Sequence, residues 1–149
     1  MDGLHLLFKP EYTPKQMFSA GVFGGNYFDK SLNLPPIERL KFPPKALSML
    51  KSLGPDKIQS DSPSKERNKY GVNCGSSYSD WKKKNWLKKE DPYGWVNWYI
   101  QYYYGRRSDD DIRQIKRWKA FKIRHGGMAK KYPNSDKIKQ GLLQWSIKP

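Results

Sequence analysis

The chain reads as a mainly α protein: a small single domain of about five helices, with an irregular Pro-rich first half and at most a minor β element. Its 149 residues suffice for one ordinary core and leave little for a second. Phe, Trp and Tyr make up 15% of the chain, while only 36% is hydrophobic and the mean hydropathy is −0.95. Aromatic rings must therefore supply the buried area that aliphatic side chains do not. Beyond residue 90 the apolar positions recur at helical spacing rather than alternating. The expected layout is an N-terminal helix and Gly turn in 1–33, a Pro-rich extended segment in 34–68, and a basic, aromatic helical core in 69–149.

The first helix is signalled by Thr13 as N-cap and Pro14 at the first helical position, and it stops at Gly21. Gly24 and Gly25 then sit between Phe23 and Tyr27, where they can turn the chain back; the stretch is too short for a phosphate loop. Pro35, Pro36, Pro43, Pro44, Pro55 and Pro63 disfavour long elements, which leaves extended chain around one short helix at 44–53. Next, Ser77 or Ser79 caps a short helix carrying Trp81 and Trp86 among Lys82, Lys83, Lys84, Lys88 and Lys89.

Asp91 and Pro92 read as N-cap and first residue of a central helix over 92–104, with Trp95, Trp98 and Tyr102 on one stripe and Val96, Tyr99 and Tyr103 beside it. Gly105 ends it. Ser108 then caps a helix over 109–125, with Asp109, Asp110 and Asp111 at the positive end of its dipole and Ile112, Ile115, Trp118 and Phe121 on its apolar stripe. Gly126 and Gly127 read as its C-cap, and His125 as a partner for the negative end. A last helix over 135–145 presents Ile138, Leu142 and Trp145, weakened by Gly141.

The charge balance narrows the class of partner. Lys and Arg number 29 against 14 Asp and Glu, a formal +15, so the protein's field attracts polyanions. Splitting at Gly75 gives 11 basic and 7 acidic residues before and 18 and 7 after, so the halves carry +4 and +11. No apolar run is long enough to span a bilayer, and residues 1–10 do not resemble a signal peptide. The lone Cys74 forms no internal disulfide, and with only His5 and His125 it cannot supply a Cys/His zinc cage. An intracellular, reducing location is expected: nucleus, cytoplasm or a virus particle. No metal or cofactor is called for.

The block 106–131 holds ten Lys or Arg and three Asp, a local +7 on one amphipathic helix and its entry loop. A helix with one face on the core and a basic opposite face suits phosphate contact or a major groove. Arg106, Arg107, Arg113, Lys116, Arg117, Lys119, Lys122 and Arg124, with Lys83 and Lys84 from the preceding segment, are the candidate nucleic-acid contacts. The plainer alternative is a solvated helix face that only closes the core. Tyr93, Tyr104 and Trp86 are candidates for exposed stacking on unpaired bases, whereas the spacing of Trp95, Trp98, Tyr99 and Tyr102 assigns them to the core.

Asp109, Asp110 and Asp111 with Arg106, Arg107 and His125 also contain the residue types of a metal-dependent nuclease. Consecutive helical residues point about 100° apart, however, and cannot all face one ion; capping and dipole duty explain the acids more simply. Cys74, in "YGVNCGSSYSDW", fits a small thiol in a tight turn better than a nucleophile, since no histidine is near it in sequence. Two outcomes for the acids are distinct in consequence. If Asp110 and Asp111 pair with neighbouring arginines, with Asp109 and Arg113 at favourable i,i+4 spacing, the cluster is scaffold and binding falls to Lys116, Lys119, Lys122 and Arg124. If they are free, Arg106 and Arg107 form a phosphate clamp.

"KYGVNCGSSYSDW" (69–81) and "DPYGWVNWYIQYYYGRRSDDDIRQIKRW" (91–118) resemble a group of uncharacterised proteins of plants, fungi and large DNA viruses. The shared pattern is D-P-x-G-W-x-x-W-Y followed by G-R-R-x-x-D-D-x-R-Q-I-x-R-W, and "GVFGGNYF" (21–28) looks like the group's opening motif. The resemblance covers about half the chain and implies no catalytic residue. It implies that Gly94, Trp95, Trp98, Arg106, Arg107, Asp110, Arg113, Gln114 and Trp118 form one compact unit. Tyr93 and Ile100 depart from the residues common in the group, Ile100 standing where a Cys is frequent.

The expected function is nucleic-acid binding, DNA favoured over RNA, through phosphate contacts of the basic helix. The alternatives are a structural or interaction protein, for example virion-associated, that uses 34–68 to hold an acidic partner, and an enzyme that processes nucleic acid.

Overall fold

The computed structural model describes residues 7–21, 25, 27–28, 34–59, 66, 68–72 and 90–148. They form a mainly helical, small single domain, with no strand among the described residues. Six α-helices are assigned among the described residues: α1 Pro14–Ala20, α2 Pro44–Leu53, α3 Pro55–Ile58, α4 Trp95–Tyr103, α5 Asp111–Lys131 and α6 Asp136–Gln144, with a 3-10 turn at Ile37–Arg39.

The first half follows its punctuation closely. At α1 the Thr13 hydroxyl accepts from the Gln16 N–H at 3.1 Å and the Gln16 side-chain carbonyl accepts from the Thr13 N–H at 2.8 Å, a reciprocal capping box. Gly21, at φ 101°, closes the helix in a conformation that an L side chain rarely adopts. The Pro-rich stretch is more helical than expected: α2 is joined by α3 and the 3-10 turn, and α2 and α3 each start at a proline, whose missing N–H would be unpaired there in any case. Ala46, Met49 and Leu50 of α2 are buried, as are Met17 and Phe18 of α1. The segment is tied to the core rather than forming a free arm. The Tyr93 hydroxyl donates to Pro35 O at 2.9 Å and the Gln101 side-chain amide to Leu40 O at 2.9 Å.

Helix α4 is the keystone, touching α1 on one side and α5 on the other, while α6 packs on α5. Every residue from Trp95 through Gln101 is buried, so the helix has no solvent-facing stripe over those residues. Phe8 inserts its ring among those of α4 and α5, edge-on to Trp95, Tyr99, Tyr102 and Trp118 with centroids 5.0 to 6.1 Å away. Such edge contacts suit rings whose faces are negative and rims positive. Ser146 fastens the two ends together: its carbonyl accepts from the Glu11 N–H at 2.8 Å and its hydroxyl both accepts from the Tyr12 N–H and donates to Tyr12 O.

Three expected boundaries shift. Helix α4 starts at Trp95 and not at Pro92, with Gly94 as N-cap. Residues 91–94 form a turn closed by Gly94 N–H to Asp91 O at 3.0 Å, and Gly94 takes φ 102°, a conformation for glycine. Asp91 is not the cap because its carboxylate is recruited elsewhere. Helix α5 begins at Asp111, behind Asp110 rather than Ser108. It also runs straight through Gly126 and Gly127 to Lys131. Helical glycines cost about 1 kcal/mol each relative to alanine, so they weaken the helix without stopping it. The reason it continues lies in tertiary packing, where Ala129 and Ile138 lie against the core.

Candidate functional site

Two Asp–Arg pairs organise the second half, Asp91 with Arg106 and Asp110 with Arg113. Asp91, 2% exposed, receives both terminal nitrogens of Arg106, at 2.9 and 2.7 Å, and the side-chain amide of Asn97 at 3.1 Å. Burial pushes the Asp91 carboxyl above its ordinary range, against the pull of the Arg106 guanidinium. Asp110 binds Arg113 through two nitrogens and accepts the Gln114 amide at 3.0 Å. Asp111 is buried; it accepts the Trp98 indole N–H at 2.8 Å and both the N–H and the hydroxyl of Ser108. Gln114 in turn accepts from Arg117 at 2.9 Å, and its carbonyl takes the Trp95 indole N–H at 3.2 Å.

Those bonds form three sets around α4: Asp91 with Arg106 and Asn97, Asp111 with Trp98 and Ser108, and Asp110 with Arg113, Gln114 and, through Gln114, Trp95. Of the two arrangements posed by the sequence for the acids, Asp110 follows the first by pairing with an arginine, while Asp111 is taken by Trp98 and Ser108. Arg106 is held by Asp91 through both terminal nitrogens. Arg113 pairs with Asp110 rather than with Asp109, because Asp110 sits at the helix entrance while Asp109 remains exposed in the turn. Arg107 lies over the Tyr102 ring, its guanidinium carbon 3.8 Å from the centroid, and donates to Tyr102 O and Arg106 O while staying exposed. Arg117 is half-buried beside Gln114 and the Trp145 ring. Burial first, then neighbouring Arg113, brings it down to about 10, so it stays cationic at neutral pH.

His125 is not at the end of its helix. It lies six residues before Lys131 and stacks on Phe121, centroids 3.8 Å apart and planes 7° from parallel. Phe121 stacks on Trp145 at 4.8 Å, and Trp145 meets Trp95 at 4.9 Å, so a ladder of rings runs from this histidine into the core. Burial, with Arg124 beside it, lowers the His125 pKa, which favours the neutral ring. Tyr93, expected as an exposed stacking residue, is instead buried against Phe28, and Tyr104 is half-buried. Among the described residues no group of three His, Cys, Asp or Glu side chains is placed to hold a metal ion.

What remains exposed is the outward face of α5. Lys116, Lys119, Arg124 and Lys130 all project there, and none has an ion pair among the described residues. Lys122 is turned aside: its ammonium lies 4.0 Å from Glu11 and over the Trp118 ring. In the middle of the face Ile123 is 68% exposed, the most exposed large apolar side chain among the described residues. Lys130 is absent from the expected contacts because Gly126 and Gly127 read as a stop before it; Ile123 lies within the expected helix, but off its apolar stripe. Lys83, Lys84, Trp86, Cys74 and the expected helix around Trp81 lie outside the described residues.

No described helix is long and apolar enough to cross a membrane. Compared with known protein families, with curated proteins and with solved structures, the chain matches none.

Proposed function

We propose that this protein binds nucleic acid, DNA in preference to RNA, by contacting phosphates through the outward face of α5. The observation that carries the reading is the contrast on one helix between Arg113 and Arg117, held by Asp110 and Gln114, and Lys116, Lys119 and Lys130, which are exposed with no ion pair among the described residues. Asp91 and Asp110 pair with Arg106 and Arg113 and Asp111 binds Trp98 and Ser108, while Lys116, Lys119, Arg124 and Lys130 face solvent with no ion pair among the described residues. A row of uncompensated cations on a rigid helix attracts a polyanion and gains by releasing its counterions. Lys116, Lys119, Arg124 and Lys130 are the contacts, with Lys122 and Arg107 at the margins. Lysines act as point charges on flexible stems, which suits sequence-tolerant phosphate contact better than base reading.

The test is binding of the full chain to a labelled DNA duplex over a salt series. The expected result is an affinity that falls by orders of magnitude between about 50 and 200 mM salt, with a log–log slope of about −0.9 for each phosphate neutralised. An affinity that stays flat over that range sinks the reading.

A further inference from the structure

Resting on that reading, we infer that α5 enters the major groove of duplex DNA with Ile123 toward the groove floor and a cationic edge toward each strand. At about 100° per residue, Lys119 and Lys130 fall on one edge of the exposed face and Arg124 and Lys131 on the other, about 120° apart. All four are exposed. Between them run Lys116, Ala120, Ile123 and Gly127, also exposed, so beyond Lys116 the strip that leads the helix into a partner is narrow and uncharged while its flanks are cationic. Two cationic edges separated by a slim apolar strip match a groove with phosphates on both walls. A single strand is instead held by stacking rings, and the strip between the two edges carries none, Tyr103 and Tyr132 being exposed away from it.

The glycines support close approach. A Cβ added at Gly126 or Gly127 would meet nothing within 4 Å, and neither has a positive φ, so the fold itself does not require glycine at either position. Gly127 lies on the outward strip and trims the helix where a partner would press closest. A helix with its side chains is about 10 to 12 Å across and the B-DNA major groove about 12 Å wide, so a trimmed helix fits. The A-form RNA major groove is too narrow for side chains to read, which separates the two duplexes.

The experiment compares four probes by fluorescence anisotropy with the full chain: a 20-bp DNA duplex, an RNA duplex of the same sequence, one DNA strand alone, and vesicles of phosphatidylserine and phosphatidylcholine. Tightest binding to the DNA duplex, at least tenfold over the RNA duplex and the single strand, with displacement of a major-groove dye and not of a minor-groove one, is the expected result. Gly127→Gln should raise the melting temperature yet weaken duplex binding at least tenfold, since it improves the helix and fills the strip. Salt-sensitive binding that is equal for the duplexes and the single strand overturns groove entry and leaves phosphate contact standing. Vesicle binding tighter than duplex binding, or full duplex affinity in Gly127→Gln, likewise overturns it. No binding to any nucleic acid overturns both.

Discussion

The two halves of α5 carry similar charges to opposite ends. In its first turns Arg113 and Arg117 are tied to Asp110 and Gln114, while Ile115 and Trp118 are buried beside them. Past Trp118 the helix keeps one face on α6 and the core through Phe121 and Ala129 and turns Lys119, Ile123, Arg124 and Lys130 outward. A cation thus acquires its role from what surrounds it. Beside a buried carboxylate it is an element of the core; on the far side of the same helix it belongs to the surface field. Arginine takes the first duty here because its planar fork meets a carboxylate through two bonds, as Arg106 meets Asp91.

The sharpest break would come at the internal pairs. Arg106→Met leaves the buried Asp91 without its cation and should cost about 3 to 5 kcal/mol, read as a lower denaturation midpoint with an unchanged slope. Removing the other member with it, in Asp91→Asn with Arg106→Met, should recover part of that loss, because no uncompensated charge is left inside. An Arg106→Met protein as stable as the parent would mean that the pair is not structural.

The outward cations should behave in reverse. Lys119→Gln with Lys130→Gln should change stability by no more than about 0.5 kcal/mol, as surface substitutions do. The same pair should make the salt slope of DNA binding shallower by about 2. Affinity lost together with the fold would erase the distinction between the two halves.

A smaller gain in stability is expected from Gly126→Ala, about 1 kcal/mol at most, measured as a higher denaturation midpoint. Its Cβ has open space and its backbone is helical, so a loss would mean that the helix breaks there.

The least effect concerns pH. His125 has a folded pKa below its ordinary value of about 6.5, so the unfolded chain binds more protons as pH falls through that value. Its stabilising contribution is complete above about 6.5 and is lost toward the lower folded pKa. The melting temperature should therefore drop more between pH 7 and pH 5 in the parent than in His125→Phe. Equal slopes would show that the stacked ring does not favour the neutral form.

Much of the fold was legible because its signals are local. Thr13, Pro14 and Gly21 bound α1, residues 44–53 form α2, and Ser135 caps α6 by accepting the Ile138 N–H. The burial of Trp95, Trp98 and Tyr99 follows from helical spacing in a chain poor in aliphatics. Less legible were the sites where a side chain had two possible partners. Asp91 reads as a cap for the residues that follow it, but Arg106, fifteen positions on, competes for the carboxylate and takes it. Tyr93 reads as exposed amid charge, but its hydroxyl finds Pro35 O across the fold and the ring follows it inside.

From its sequence alone the protein is determined to be small, helical, aromatic-cored and strongly cationic, since composition, periodicity and capping act over a few residues. Only the tertiary structure decided which cations are spent and which remain. Pairing depends on distances between residues far apart in the chain, and burial multiplies the strength of the pairs that form by removing the water that would screen them. The same packing carried α5 through two glycines that by themselves would have ended it, and so placed Lys130 on the face where the proposed partner binds.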